Sequence, residues 1–146
     1  MANFNLRPSI EADAAFIYEV SEVTMKGYVE AAGRRWAVQG MHEKCDDDAR
    51  DPSTRIILVG EESVGVYAAT VRDGALCIDM LFLLPHFQRR GIGSALVEQA
   101  YLEASRIGLP IRIQVITTNP AQAFWHERCF SVTDRDDLFY TMQSAA

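Results

Sequence analysis

No stretch of this chain approaches the roughly 20 consecutive apolar residues that cross a bilayer, so no membrane role is expected. The opening segment, MANFNLRPSIEAD, lacks the apolar run of a secretory leader. Cysteine is scarce: Cys45, Cys77 and Cys129 are odd in number and far apart. That argues against a disulfide framework or a zinc site and suits free thiols in a reducing cytoplasm. His42, His86 and His126 are as scattered, with no ligand-like spacing, so no metal is expected. Internal repeats, low-complexity tracts and linkers are missing. An excess of positive charge is missing too. With 14 Lys and Arg against 20 Asp and Glu, the formal net charge is -6, which disfavours nucleic acid as a partner. One local basic patch can still hold a phosphorylated ligand. What is present is an ordinary globular composition, 49% hydrophobic and 23% charged over 146 residues. That suits one domain, residues 1–146, with a core of its own.

Residues 3–7 predict a short strand stopped by Pro8. Ala12, Phe16, Val20 and Val23 then recur at helical spacing, with Ser9 as the expected N-cap. Residues 28–44 predict a second helix, weakened by Gly33 and Gly40, and residues 46–52 a solvated acidic loop or fraying helix end. Strands are expected over 55–60 and 64–72, joined by a turn. Asp73-Gly74 signals a hairpin into a nearly continuous apolar run, 75–84, of a strand buried on both faces. A helix over 91–107 places Ile92, Leu96, Ala100, Ala104 and Ile107 on one face, and Gly108 and Pro110 end it. A strand over 111–116, a short helix with Pro120 as its first residue, and strands near 130–134 and 138–143 complete the chain. An antiparallel meander running into a βαβ unit predicts a mixed α/β sheet with helices on both faces.

Between the buried strand and the 91–107 helix lies Gln88-Arg89-Arg90-Gly91-Ile92-Gly93-Ser94. Two glycines allow a tight turn whose successive N–H groups point at one spot, and a helix start adds its dipole, so the segment suits a pyrophosphate. Arg89 and Arg90 add positive charge; the bland alternative is a solvated basic pair. A Rossmann fingerprint would need Gly or Ala at Leu96, and a P-loop needs a Gly-Lys-Ser/Thr triplet that the chain does not contain.

The pattern Gln88-x-x-Gly91-x-Gly93 resembles the acyl-CoA loop of the GNAT superfamily of N-acetyltransferases. Further on, Asn119-Pro120-Ala121-Gln122-Ala123-Phe124-Trp125-His126-Glu127-Arg128-Cys129-Phe130 resembles that superfamily's stretch Asn-Pro-Ala-x-x-Phe-Tyr-x-x-x-Gly-Phe. The element order is similar over essentially the whole chain. The resemblance implies a mostly antiparallel, twisted central sheet and acetyl-CoA as cosubstrate. It implies that the backbone of Leu81 and Leu83 flanks the pantetheine arm, with the Leu83 N–H as oxyanion donor. It implies that Gln88 and the amides of Arg89, Arg90, Gly91, Ile92, Gly93 and Ser94 hold the pyrophosphate. Asn119, Phe124 and Trp125 would meet the arm from the other side.

For the chemistry, an amine must lose a proton before attacking a thioester, and a carboxylate can take it directly or through water. Asp79 is the only charged residue between Gly74 and His86 and is the expected base; the alternative is an Asp paired with an Arg or a helix N-terminus. Glu22 is the reserve. Two residues depart from the family pattern. Trp125 replaces the usual Tyr and cannot donate a proton to the leaving thiolate, which leaves Cys129, His126, Tyr140 or unassisted departure. Cys129 replaces the usual Gly, so it must adopt a left-handed conformation or end the helix differently. The acceptor pocket is expected on the first two helices, from Tyr18, Glu22, Tyr28, Glu30 and Trp36. The acceptor is then a small-molecule or peptide amine. A catalytically degenerate acyl-CoA sensor is the rival reading. The oligomeric state is open, a homodimer included.

Overall fold

The computed structural model describes residues 2–145. In chain order the elements are β1 (Asn5–Pro8), a 3-10 turn at Glu11–Asp13, α1 (Ala14–Ala31), α2 (Val38–Arg50), β2 (Thr54–Val59), β3 (Glu62–Arg72) and β4 (Ala75–Leu83). A 3-10 turn at Pro85–Phe87 leads to α3 (Ile92–Ile107), β5 (Ile111–Ile116), α4 (Gln122–Glu127), β6 (Phe130–Arg135) and β7 (Phe139–Ser144). The seven strands form one sheet, ordered β1-β2-β3-β4-β5-β7-β6. Only β4 and β5 pair in parallel; every other neighbour is antiparallel. The β3–β4 hairpin turns at Asp73 (φ 51) and Gly74 (φ 75), the two left-handed positions a tight type I′ turn requires.

Strand alternation sends side chains to two cores. On one face Leu76, Ile78, Ile111, Ile113, Val115 and Met142 pack against Ile92, Leu96, Val97, Ala100 and Ala104 of α3 and Trp125 of α4. On the other, Ile56, Val66, Ala68 and Met80 pack against Ile17 and Val20 of α1 and Cys45 and Ala49 of α2. Helices therefore cover both faces, as the pattern predicts. All three cysteines are free. No described helix is long and apolar enough to cross a membrane.

Several local expectations are corrected. Tyr28 belongs to α1, which runs on to Ala31 and stops before Gly33 at φ 80; α2 starts only at Val38 and accommodates Gly40 in its first turn. Of the two alternatives for 46–52, a loop or a helix end, Asp46–Arg50 is the helix end, the last part of α2. Ser9 is not a helix cap: its hydroxyl donates to the Ala49 carbonyl at 2.8 Å, tying the chain to the end of α2. Ile107 is 46% exposed, because the last turn of α3 runs past the edge of the core. Pro120 precedes α4 by two residues, with Ala121 as its N-cap.

The entry to α1 is pinned by Asp13. Its carboxylate accepts both Arg7 guanidinium nitrogens, at 2.8 and 2.9 Å, and the Ile10 N–H at 2.8 Å. The Arg7 hydrogen bonds, with that of Ile10, hold this carboxyl below the usual range against the opposing effect of burial. A depressed carboxyl stabilises the fold fully above the ordinary Asp value, about 3.9. That contribution is lost as the pH falls through the lower folded value. Asp13→Asn is expected to cost about 1–3 kcal/mol at pH 7. Thermal melts from pH 3 to 7 check the linkage: the gap between parent and variant must narrow below pH ~4. A gap that stays constant refutes it.

Candidate active site

β4 and β5 are bonded only over Leu76–Ile111, Cys77–Arg112 and Ile78–Ile113. The register of β3 against β4 then slips, with Ala68 opposite Met80 and Ala69 opposite Ile78, so Asp79 is the extra residue of a β-bulge. A bulge bends its strand. Beyond Ile78, β4 leaves β5, while β5 continues against β7 as far as Ile116. A cleft opens between residues 79–83 of β4 and the end of β5.

The ladder phase decides what faces that cleft. The Leu84 N–H donates to the Val64 carbonyl at 2.9 Å. Antiparallel residues alternate between bonded and non-bonded pairs, so Phe82 bonds Val66 and the amides of Leu81 and Leu83 turn away from β3. Gln88 Nε2 donates to the Leu83 carbonyl at 2.9 Å, from outside the β3–β4 ladder. The side chains of Leu81 and Leu83 pack against the α3-side core, which leaves their main chain to face the cleft.

After the Pro85–Phe87 turn, Arg89 (φ 61) and Gly91 (φ 86) are both left-handed, and α3 starts at once. The first helical bond to reach back is Ala95 N–H to the Gly91 carbonyl. The Arg89–Ser94 amides therefore have no backbone acceptor among the described residues, as at any helix start. Gln88, Arg89, Arg90 and Gly91 are exposed, whereas Ile92 is buried and can offer only its N–H. The Arg90 guanidinium lies over the Phe87 ring, 5.0 Å from its centroid. The loop is thus an open cradle of amides with two arginines at its lip.

The opposite wall comes from the β5–α4 segment. Asn119 Oδ1 accepts the Ala121 N–H at 2.9 Å, which leaves its Nδ2 available to a ligand. Phe124 approaches Gly93: a Cβ there would meet the ring at 3.6 Å. Trp125 is 7% exposed and packs edge-on against Phe124 and Phe130, each with centroids 5.0 Å away. Sequence reasoning passed over Arg128. Its guanidinium stacks on Phe124 at 3.6 Å, donates to the Phe124 carbonyl at 2.9 Å and bonds Ser94 Oγ in the first turn of α3. The available signal was its i,i+4 spacing from Phe124 on a helix. Cys129 takes the left-handed conformation, φ 67, at a cost of about 1–2 kcal/mol. Neither it, His126 nor Tyr140 lines the cavity.

A continuous cavity of about 1770 Å³ joins cradle and cleft to the space beneath α1 and α2. Asp79 lines it from the floor, 37% exposed at its side chain. Its carboxylate is bonded by Arg72 through both nitrogens, Nη1–Oδ2 at 2.8 Å, and by the Thr70 hydroxyl at 3.2 Å. These hydrogen bonds raise the Arg72 guanidinium above its ordinary value. The expected base thus reaches the site already paired with an arginine. Tyr28 and Trp36 line the cavity, but Tyr18 and Glu22 do not. These two share the α1 face turned toward α2. There Tyr18 stacks on His42 at 3.7 Å, donates to Glu22 at 3.0 Å and accepts from Trp36 Nε1 at 3.1 Å. Glu30 is exposed outside the cavity. The Thr118 hydroxyl donates to the Tyr28 carbonyl at 2.6 Å, closing α1 over the end of β5. Among the described residues, no group of three or more His, Cys, Asp or Glu could hold a metal ion.

The acetyltransferase (GNAT) domain family matches residues 52–129. No curated protein matches the chain in sequence. In fold it is similar to the PaiA N-acetyltransferase of Thermoplasma acidophilum, solved in complex with coenzyme A. The two share 15% identity over 99% of this chain and 100% of that one, with a TM-score of 0.76. It is similar to an acetyltransferase from Thermus thermophilus, with 20% identity, coverage of 97% and 96%, and a TM-score of 0.74. It is also similar to Arabidopsis thaliana Naa50 in complex with the bisubstrate analogue CoA-Ac-MVNAL, with 18% identity, coverage of 99% and 100%, and a TM-score of 0.68. At these identities the likeness establishes the fold.

Proposed function

The chain belongs to the GNAT acetyltransferase family, and on that premise we propose that it moves an acetyl group from acetyl-CoA to a primary amine by direct attack in a ternary complex. The observation that carries this is the continuity of three features in one cavity: a cradle of unbonded amides at the start of α3, the β4–β5 cleft, and a space reached from the α1–α2 side. The coenzyme A bound to the Thermoplasma acidophilum enzyme and the bisubstrate analogue bound to the Arabidopsis protein are consistent with it.

In this reading the Arg89–Ser94 amides and the first turn of α3 hold the pyrophosphate. Leu81 and Asn119 hold the pantetheine arm, and Phe124 forms its wall. The thioester oxygen sits at the Leu83 N–H. The amine nitrogen attacks the carbonyl carbon and the carbon–sulfur bond breaks. Coenzyme A departs as thiolate without an acid, since none of the candidate donors lines the cavity and Trp125 cannot give up its proton. Asp79 lies four residues, about 13 Å of strand, from Leu83, so the amine's proton reaches its carboxylate along a chain of several waters rather than directly. A carboxylate offers about four lone-pair sites, and Arg72 and Thr70 use three.

The test is coenzyme A release from acetyl-CoA over a panel of small and peptide amines. Amine-dependent release supports the reading. Tight coenzyme A binding with no release on any acceptor favours the degenerate sensor, a reading that the buried Trp125 in place of a tyrosine supports. Failure to bind coenzyme A refutes both. Gly91→Val probes the cradle. A β-branched residue at φ 86 is strained by about 1–2 kcal/mol or more, and the amides lose their alignment. The KM for acetyl-CoA is expected to rise at least about tenfold, with kcat changing less. An unchanged KM would remove the loop from the donor site.

A further inference from the structure

Arg112 is unused by the chemistry above. Its neighbours on β5, Ile111, Ile113 and Val115, point into the α3-side core, so strand alternation sends Arg112 to the face shared with Asp79. It lines the same cavity. Its Nε donates to Gln143 Oε1 at 3.1 Å and its Nη1 to the Asp73 carbonyl at 3.2 Å. Both acceptors are neutral. A guanidinium has five donors, so three remain, and among the described residues no carboxylate lies within ion-pair distance.

The other charges on this side of the cavity are mostly matched. Lys44 pairs with Asp48 and Arg72 with Asp79, while Asp51 accepts the N–H and hydroxyl of Ser53. Asp73, exposed in the β3–β4 turn, is the one lining carboxylate without a side-chain or backbone partner among the described residues. Arg34 and Arg35, at the connection between α1 and α2, line the cavity and make no ion pair there. In a chain of net charge -6, the unmatched charge of the acceptor space is positive. A half-buried arginine with a free fork suits a carboxylate, which it binds through two parallel hydrogen bonds.

We propose that Arg112 is an anion subsite for the acceptor, and that the acceptor is an extended peptide with an acidic side chain a few residues behind its amino terminus. The inference rests on the acetyl-transfer reading and adds the substrate class. Distance sets the spacing. Arg112 pairs with Cys77, and Leu83 lies six residues farther along β4, about 20 Å at the rise of a strand. An extended peptide covers that span in roughly six steps, which ends at the seventh position, and the reach of the Arg112 and Glu side chains shortens it, so the acid belongs near the fourth to sixth position.

The experiment uses heptapeptide amines in matched pairs, with Glu or Gln at each position from the third to the seventh. Binding to the coenzyme A-saturated protein and acetyl transfer are both measured. The expected result is a preference of about tenfold or more for Glu over Gln at one or two adjacent positions. Arg112→Gln abolishes it, Arg112→Lys keeps part of it, and the KM for acetyl-CoA stays unchanged in both. Equal binding of Glu and Gln peptides at every position in the parent overturns the proposal without any variant. So does a preference that survives in folded Arg112→Gln. A Glu preference in binding with no transfer on any peptide supports the subsite and counts against the acetyl-transfer reading instead.

Discussion

Leu83→Pro is expected to lower kcat about 10²–10³-fold, the usual cost of removing one oxyanion donor, while the affinity for coenzyme A, which has no acyl oxygen, stays close to the parent's. The substitution deletes one backbone N–H. Within a sheet that deletion normally breaks the ladder, but proline is tolerated where the N–H faces away from the neighbouring strand. Leu83 is such a position, because the Leu84–Val64 bond assigns the β3-facing amides to the even-numbered residues. Its carbonyl, which accepts from Gln88, is retained. Phe82→Pro, one residue earlier, removes a ladder bond and serves as the control: it must destabilise the sheet where Leu83→Pro does not. A Leu83→Pro enzyme within about fivefold of the parent's kcat would assign the oxyanion to another donor.

Asp79→Asn is expected to cost about 10²–10⁴-fold in kcat/KM near pH 7, the range of a lost general base, and to change the pH profile. The asparagine oxygen still accepts from Arg72 Nη1 and Thr70, its NH2 loses the second Arg72 bond, and the side chain cannot take a proton. Attack then depends on the fraction of amine already neutral in solution, so the variant's rate climbs with pH toward the amine's own ionisation and the deficit shrinks. A profile parallel to the parent's across the whole range would exclude Asp79 as the base. It would leave the residue to its ion pair with Arg72. The two variants report on different events: Leu83→Pro removes stabilisation of the oxygen at every pH, whereas Asp79→Asn removes a proton acceptor and is rescued by base.

The sites most legible in the sequence are those whose chemistry lies in consecutive residues. The Gln88–Ser94 loop is a local conformation set by Gly91, by the turn before it and by the helix after it; of the two glycines read as making the turn only Gly91 is left-handed, Arg89 being the other left-handed residue, and Gly93 lies within α3. The Asp73-Gly74 hairpin forms as read, and the strand read over 75–84 forms over Ala75–Leu83, though it is buried only at residues 75–78 and Met80. What could not be read are pairings across the sheet and between layers. The Arg72–Asp79 pair depends on a hairpin register shifted by one bulge. The contact between Arg128 and Ser94 joins two helices 34 residues apart. Tyr18 and Glu22 have the spacing of a helix face, but only the docking of α2 decides that this face meets His42 and Trp36 rather than the cavity.

Apolar periodicity and turn signals, which are local, were enough to determine the order of elements, and the resemblance of two short motifs, Gln88–Ser94 and Asn119–Phe130, was enough to point to the family. The tertiary structure alone decided where β4 parts from β5, which amides face the gap, and which charges are matched before an acceptor arrives. Those depend on register, and register is settled by the packing of whole faces against each other, since a slip of one residue turns every side chain to the other side of the sheet.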